Sequence, residues 1–208
     1  PFERFWRMPE PQAPAEGAPA AVLFIHGFLC NGGVWRPAIR YLYRKGIHHA
    51  YTINLEPPFG AISRHGRQVT DYAEMICRQH GCERIVLVGH SMGGLAARAC
   101  LREPGMTHRV AKVITIGTPH HGTVHARLAP GANVAQVRPG SAWLAQLNRA
   151  DPPVPITNIY AFHDNLIAPQ DSARLENAKN IGLAGIGHIA LCFSPRVHEL
   201  LHRELLSL

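Results

Sequence analysis

Arg84-Ile85-Val86-Leu87-Val88-Gly89-His90-Ser91-Met92-Gly93-Gly94 decides how this chain is read. Its first half, Arg84–Gly89, is a short apolar run rich in β-branched residues, the composition of a strand buried on both faces. Gly89-His90-Ser91-Met92-Gly93 follows at once and fits G-x-S-x-G. Beyond it, Met92–Arg102 is predicted helical and stops before Pro104. Gly94, Ala96 and Ala97 are small enough to let that helix lie close on a sheet. A serine at so tight a strand-to-helix turn is held in a strained backbone conformation with its hydroxyl exposed. Gly89 and Gly93 suit the turn because a side chain at either place would collide with neighbouring backbone. The helix N-terminus adds free N–H groups and a positive dipole end, which favour a developing oxyanion. Ser91 is therefore the candidate nucleophile.

The flanking pattern alternates strand and helix. Toward the N-terminus, Ala20–His26 reads as a buried strand that stops at Gly27. Val34–Lys45 reads as a helix closed by Gly46, and Ala50–Leu55 as a second strand. Arg64–His80 carries Val69, Tyr72, Ala73, Ile76 and Cys77 on one helical face and ends at Gly81. Toward the C-terminus, Val110–Ile116 is a fourth strand and Pro155–His163 a fifth, while Ala178–Ile181 starts a sixth. Gly117–Asp151 shows little pattern beyond a short helix capped by Ser141. Pro195–Leu206 is an amphipathic helix with Val197, Leu200, Leu201 and Leu205 on one side. Such alternation predicts a mostly parallel sheet of about six strands, covered by helices on both faces. Ligands of such sheets bind beyond the carboxyl ends of the strands. Residues 1–19, rich in Pro and Ala, are expected to form an extended arm, and residues 20–208 a single domain.

Composition bounds the function. The 208 residues are 46% apolar and 17% charged, which fits a compact body and excludes disorder. The formal charge of +7 comes from scattered Lys and Arg with no dense basic run, and no nucleic-acid module is visible. Solubility alone accounts for a charge of that size. No apolar run has the length of a membrane-spanning helix, and the opening stretch lacks the apolar core of a signal peptide. The chain begins at Pro1 rather than Met, as expected if an upstream segment, targeting or membrane-anchoring, has been removed. The compartment therefore stays open between cytoplasmic and exported or membrane-anchored. The five cysteines, Cys30, Cys77, Cys82, Cys100 and Cys192, have no metal-type spacing and read by default as buried free thiols. Cys77 and Cys82 could approach each other across a helix end.

His26-Gly27-Phe28, the GHSMGG run at 89–94, and Gly117-Thr118-Pro119-His120-His121-Gly122 together resemble the α/β-hydrolase superfamily, and within it the small bacterial lipases and esterases. The resemblance extends from about residue 20 through a late Asp and His. It implies an oxyanion hole formed by the main-chain N–H groups of Phe28 and Met92. His26 is expected to be a structural hydrogen-bonder under the Phe28 loop. With only Gly122–Asp151 before the acid, a small or absent lid is expected. Trp143, Leu144 and Leu147 have helical spacing and fit either a small apolar flap or packing on the body. Phe28, His90, Trp143, Leu144, Ile167 and Ile189 are expected to contact substrate.

A serine hydroxyl is a weak nucleophile, so an imidazole must take its proton and a carboxylate must orient that imidazole. In this fold the chain order is Ser, acid, His. Asp164 follows the fifth strand, and Asp164-Asn165-Leu166-Ile167-Ala168-Pro169 resembles the family's acid loop. Asp171 lies deeper in the loop, and Asp151 reads as a solvated turn residue. Among 14 histidines, position selects His188, in a glycine-flanked loop between the last strand and the last helix. His120 and His121 are expected at the pocket rim, and His198 and His202 at the exposed surface. His163, beside the acid, points away from it by strand alternation. The resemblance implies a serine carboxylic-ester hydrolase, acting on a small-molecule ester or lipid without cofactor or metal. Contact with a lipid surface is compatible with it. An acyltransferase or thioesterase on the same triad, or a non-catalytic lipid- or partner-binding module, are the alternatives. Acyl-chain length, polyester activity and oligomeric state are not legible.

Overall fold

The computed structural model describes residues 10–12 and 21–207. Most of the expected arm over 1–19 lies outside the described residues. Gln12 donates its N–H to the His48 carbonyl at 2.9 Å.

The chain runs β1 (Ala21–Ile25), α1 (Arg36–Arg44), β2 (Ala50–Ile53), α2 (Ile62–His80), β3 (Ile85–His90), α3 (Met92–Cys100), α4 (Met106–Arg109) and β4 (Val110–Ile116). It continues through α5 (Ala132–Gln136), α6 (Ala142–Leu147), β5 (Ile156–Ala161), β6 (Lys179–Leu183) and α7 (Pro195–Leu206). The six strands form one sheet in the order β2-β1-β3-β4-β5-β6, and every neighbouring pair is parallel. This is the α/β architecture expected from the alternation of elements.

Alternation along the central strands builds two core layers. Leu23, Ile25, Leu87 and Val113 face the α2 and α3 side chains Val69, Ala73, Ile76, Leu95 and Ala96. Val22, Phe24, Val86, Val88, Ile114 and Ile116 face Ala38 and Leu42 of α1 and Val197, Leu201 and Leu205 of α7. Burial of one such side chain contributes about 1.5–3 kcal/mol, so both faces of the sheet must be covered. Strand β3, the carrier of Ser91, lies inside the sheet between β1 and β4 and is buried along its whole length.

Several local expectations are refined. The helix expected from Val34 opens as a 3-10 turn (Gly32–Trp35), and the α-helix begins where Pro37 can occupy its first turn. Helix α2 ends at Gly81 with φ 65°, as its C-terminal glycine requires. The Ser141 hydroxyl accepts the Leu144 N–H at 3.2 Å and caps α6. Between β4 and β5, a 3-10 turn (Val124–Arg127), α5 and α6 give Gly117–Asp151 more structure than its sequence suggested. Ala126, Val134, Val137, Leu144 and Leu147 pack into the core layer of α2 and α3, so the segment is part of the body. His198 corrects another expectation: it is buried, and its ring Nε2 donates to the Cys192 carbonyl at 2.9 Å. It stands one residue from the buried Val197, on the edge of the apolar face of α7. No helix among the described residues is long and apolar enough to cross a membrane.

Candidate active site

The turn at Ser91 is steric in origin. Ser91 has φ 54° and ψ −124°, one of three non-glycine residues with positive φ among the described residues. Such a conformation costs about 1–3 kcal/mol and persists only where its surroundings fix it. Here a Cβ on Gly89 would lie 2.5 Å from the Gly94 nitrogen, and one on Gly93 would run into the Ile25 carbonyl. The Ser91 N–H donates to the Ile116 carbonyl of β4 at 2.9 Å. The Phe28 loop closes on the same point: a Cβ on Gly27 would sit 3.0 Å from Ser91 Cβ. His26 holds this loop from beneath. Its Nε2 accepts the Leu55 N–H at 3.0 Å, and its Nδ1 donates to the Gly27 carbonyl at 2.8 Å.

Asp164 stands just beyond β5 and is 2% exposed. Its Oδ1 accepts the Leu166 and Ile167 N–H groups at 2.8 and 2.9 Å. Its Oδ2 accepts Nδ1–H of His188 at 2.8 Å. Burial alone would raise the Asp164 carboxyl, but the hydrogen bond and charge of His188, with the two N–H groups, hold it below the usual carboxylate range. The carboxylate is thus ionised near neutrality and fixes the His188 proton on Nδ1, which leaves Nε2 to accept another. Ser91 and His188 line one cavity. Among the described residues no hydrogen bond joins the Ser91 hydroxyl to the His188 ring. Such contacts are often loose without substrate and tighten during reaction.

Two further residues grip His188, and neither was singled out for that role from sequence. Asn165 Oδ1 accepts the His188 N–H at 3.0 Å. His90 Nε2 donates to the His188 carbonyl at 3.2 Å, with ring centroids 4.7 Å apart. Burial, reinforced by His188, pushes His90 down to about 3, so His90 is neutral and serves as a fixed donor.

The cavity has a volume of about 170 Å³. Of the six residues expected to contact substrate, Phe28, His90, Ile167 and Ile189 line it, together with Met92. Trp143 and Leu144 do not: they pack against the core layer on the α2 and α3 side of the sheet. Their helical spacing reflected that packing. The wall is instead made by Pro119, Ala126, Ala129, Val134 and Val137, short side chains from the weakly patterned 117–151 stretch. His120 and His121 are also absent from the lining. His120 is fully buried between Arg98 Nη1 at 3.1 Å and the Thr115 hydroxyl at 3.2 Å, while His121 Nε2 meets Glu176 at 3.1 Å. The fifth strand stops at Ala161, short of the expected His163, so strand alternation does not extend to His163; it lies exposed in the turn that follows, where its Nδ1 accepts the Gly185 N–H at 3.2 Å. No group of three or more His, Cys, Asp or Glu side chains is placed to hold a metal ion among the described residues.

A parallel sheet with an elbow serine after β3, a buried acid after β5 and a histidine after β6 defines an α/β-hydrolase architecture. Residues 20–140 match the family model for the alpha/beta hydrolase fold, and the chain belongs to that family. Triacylglycerol lipases of Pseudarthrobacter phenanthrenivorans and Burkholderia plantarii are each 38% identical over 61 residues, 29% of this chain. The match spans 18% and 16% of those relatives' own lengths. Among solved structures, mature Bacillus licheniformis lipase BlEst2 superposes with a TM-score of 0.83 at 18% identity, covering 95% of this chain and 96% of that one. Naproxen esterase (carboxylesterase NP) of Bacillus subtilis gives 0.65 at 15% identity, covering 92% and 85%. At such identities the likeness is one of fold.

Proposed function

We propose that this protein is a serine carboxylic-ester hydrolase of the carboxylesterase or lipase type, with residues 20–208 as its catalytic unit and Ser91, His188 and Asp164 as its triad. The observation that carries the reading is the buried 2.8 Å contact from His188 to an ionised Asp164, in a histidine that shares a cavity with an elbow serine. His188 Nε2 takes the Ser91 proton as the hydroxyl attacks the ester carbonyl. The N–H groups of Phe28 and Met92 receive the oxyanion. Met92 opens α3, so its N–H has no partner within the helix. His188 then protonates the leaving alcohol, and water repeats the cycle on the acyl-enzyme.

The wall of the cavity favours an acyl chain. Its volume of about 170 Å³ is small beside the roughly 300–1,000 Å³ of pockets that enclose drug-sized ligands. A short acyl group inside, with the alcohol portion directed outward, fits that space. Leu166 and Ile189 line the cavity yet are 45% and 42% exposed, and Leu128, 85% exposed, lies between two lining residues. This apolar mouth supports contact with lipid or aggregated ester. The names of the relatives, lipases and an esterase, agree with ester substrates.

The test is a chain-length series of p-nitrophenyl esters with the native protein and Ser91→Ala. Hydrolysis strongest on short chains and abolished by the substitution is expected. Hydrolysis that survives Ser91→Ala would refute the assignment.

A further inference from the structure

Cys77 lies in the last turn of α2, and Cys82 follows Gly81, whose left-handed backbone folds the chain back over the helix end. The turn brings two thiols into contact, with Cys82 Sγ 3.1 Å from Cys77 Sγ. That separation is already shorter than the about 3.5–4.0 Å at which non-bonded carbon atoms settle. The pair stands before β3, at the end of that strand opposite Ser91.

We propose that Cys77 and Cys82 are an oxidisable dithiol, a modification site at which a small-molecule disulfide is reduced and an intramolecular disulfide is formed. The two sulfurs differ in access, which orders the steps. Cys77 is 5% exposed, and burial, with Cys82 beside it, pushes its thiol up to about 12. Cys82 is partly exposed and reacts first. Its thiolate attacks one sulfur of the oxidant, and one thiolate leaves. Cys77 loses its proton to solvent and attacks Cys82 Sγ, and the second thiolate leaves. Arg109 opposes the upward shift of Cys77 and favours the thiolate this second step needs. Two protein thiols are oxidised and one external disulfide is reduced to two thiols, so atoms and electrons balance. The bond would tie the end of α2 to the start of the strand that carries the nucleophile.

Of the other three cysteines, Cys30 is partly exposed and two are buried. Cys100 is fully buried and accepts the Thr70 hydroxyl at 3.2 Å, and Cys192 is fully buried.

The experiment incubates the native full chain with oxidised glutathione, blocks remaining thiols with iodoacetamide, and maps tryptic peptides by mass. Cleavage after Arg78 separates the two cysteines, so a linked pair is unambiguous. The expected result is a Cys77–Cys82 cross-linked peptide, about 2 Da lighter than the sum of its parts, and its absence in Cys82→Ser. Both cysteines alkylated, a persistent glutathione adduct on Cys82, or a link between other cysteines would overturn the proposal.

Discussion

Ionisation at Asp164 shows how far single contacts set the chemistry. A carboxylate 2% exposed is charged near neutrality only because three N–H donors converge on it. Asp164→Asn keeps the shape but presents an amide that no longer fixes the His188 proton on Nδ1. Steady-state kinetics should show kcat lower by about 10³–10⁴-fold with little change in KM. Loss of ester binding without loss of kcat would contradict that role. Asn165→Ala tests the grip on His188 more gently. Freeing the His188 backbone should lower kcat, by at most about 10²-fold, with KM again held. The positions of Ser91, Asp164 and His188 beyond three strand ends were legible because each follows a strand in a recognisable local pattern. The clamps on His188 were not. They join positions 23 and 98 residues apart, and nothing local in Asn165 or His90 announces a partner so distant.

Helix α7 is locked to the sheet by one buried carboxylate. Glu204 meets Lys112 at 2.6 Å, Lys179 at 2.5 Å and the Thr157 hydroxyl at 2.7 Å, so it joins α7 to β4, β5 and β6. Burial opposes its ionisation, but these three partners pull it down to about 2. Glu204→Gln leaves Lys112, itself 8% exposed, with its charge uncompensated. Equilibrium denaturation should register a loss of about 3–5 kcal/mol. A change within about 0.5 kcal/mol, as at an ordinary surface site, would contradict the lock. Because the folded-state value is depressed, this stabilisation is present above the ordinary carboxylate range and is lost as pH falls through about 2. Elements with strong periodicity or clear stops, such as α2 and α7, were legible in the sequence. Of the 117–151 stretch only the Ser141-capped helix was legible, through its cap; the rest was not, since its helices span five and six residues, too short for a repeat to show. Trp143 and Leu144 misled for the same reason: on so short a helix, an apolar face does not reveal what it covers.

Across the whole molecule, the histidines set the response to mild acid. Burial lowers His26, His49, His65 and His198 below their usual value, and holds His90 near about 3. Unfolding returns each to the ordinary range around 6.5, where it takes up a proton more readily than in the folded chain. The unfolded state therefore binds more protons, and stability falls as pH drops below about 6.5. Thermal melts should move steadily downward from pH 7 to pH 5, well above the range in which Glu204 titrates. A melting temperature constant over that interval would show that these rings are not buried as neutral groups.

The proposed function requires that a serine, a histidine and an aspartate from three strand ends act as one reacting unit. Its most direct test is the rate of covalent labelling by a fluorophosphonate, followed by intact mass and mapped to the modified residue, in the native chain and in Asp164→Asn. A single adduct on Ser91 and much slower labelling in the variant are expected. No adduct on Ser91, or labelling equally fast in both proteins, would contradict it.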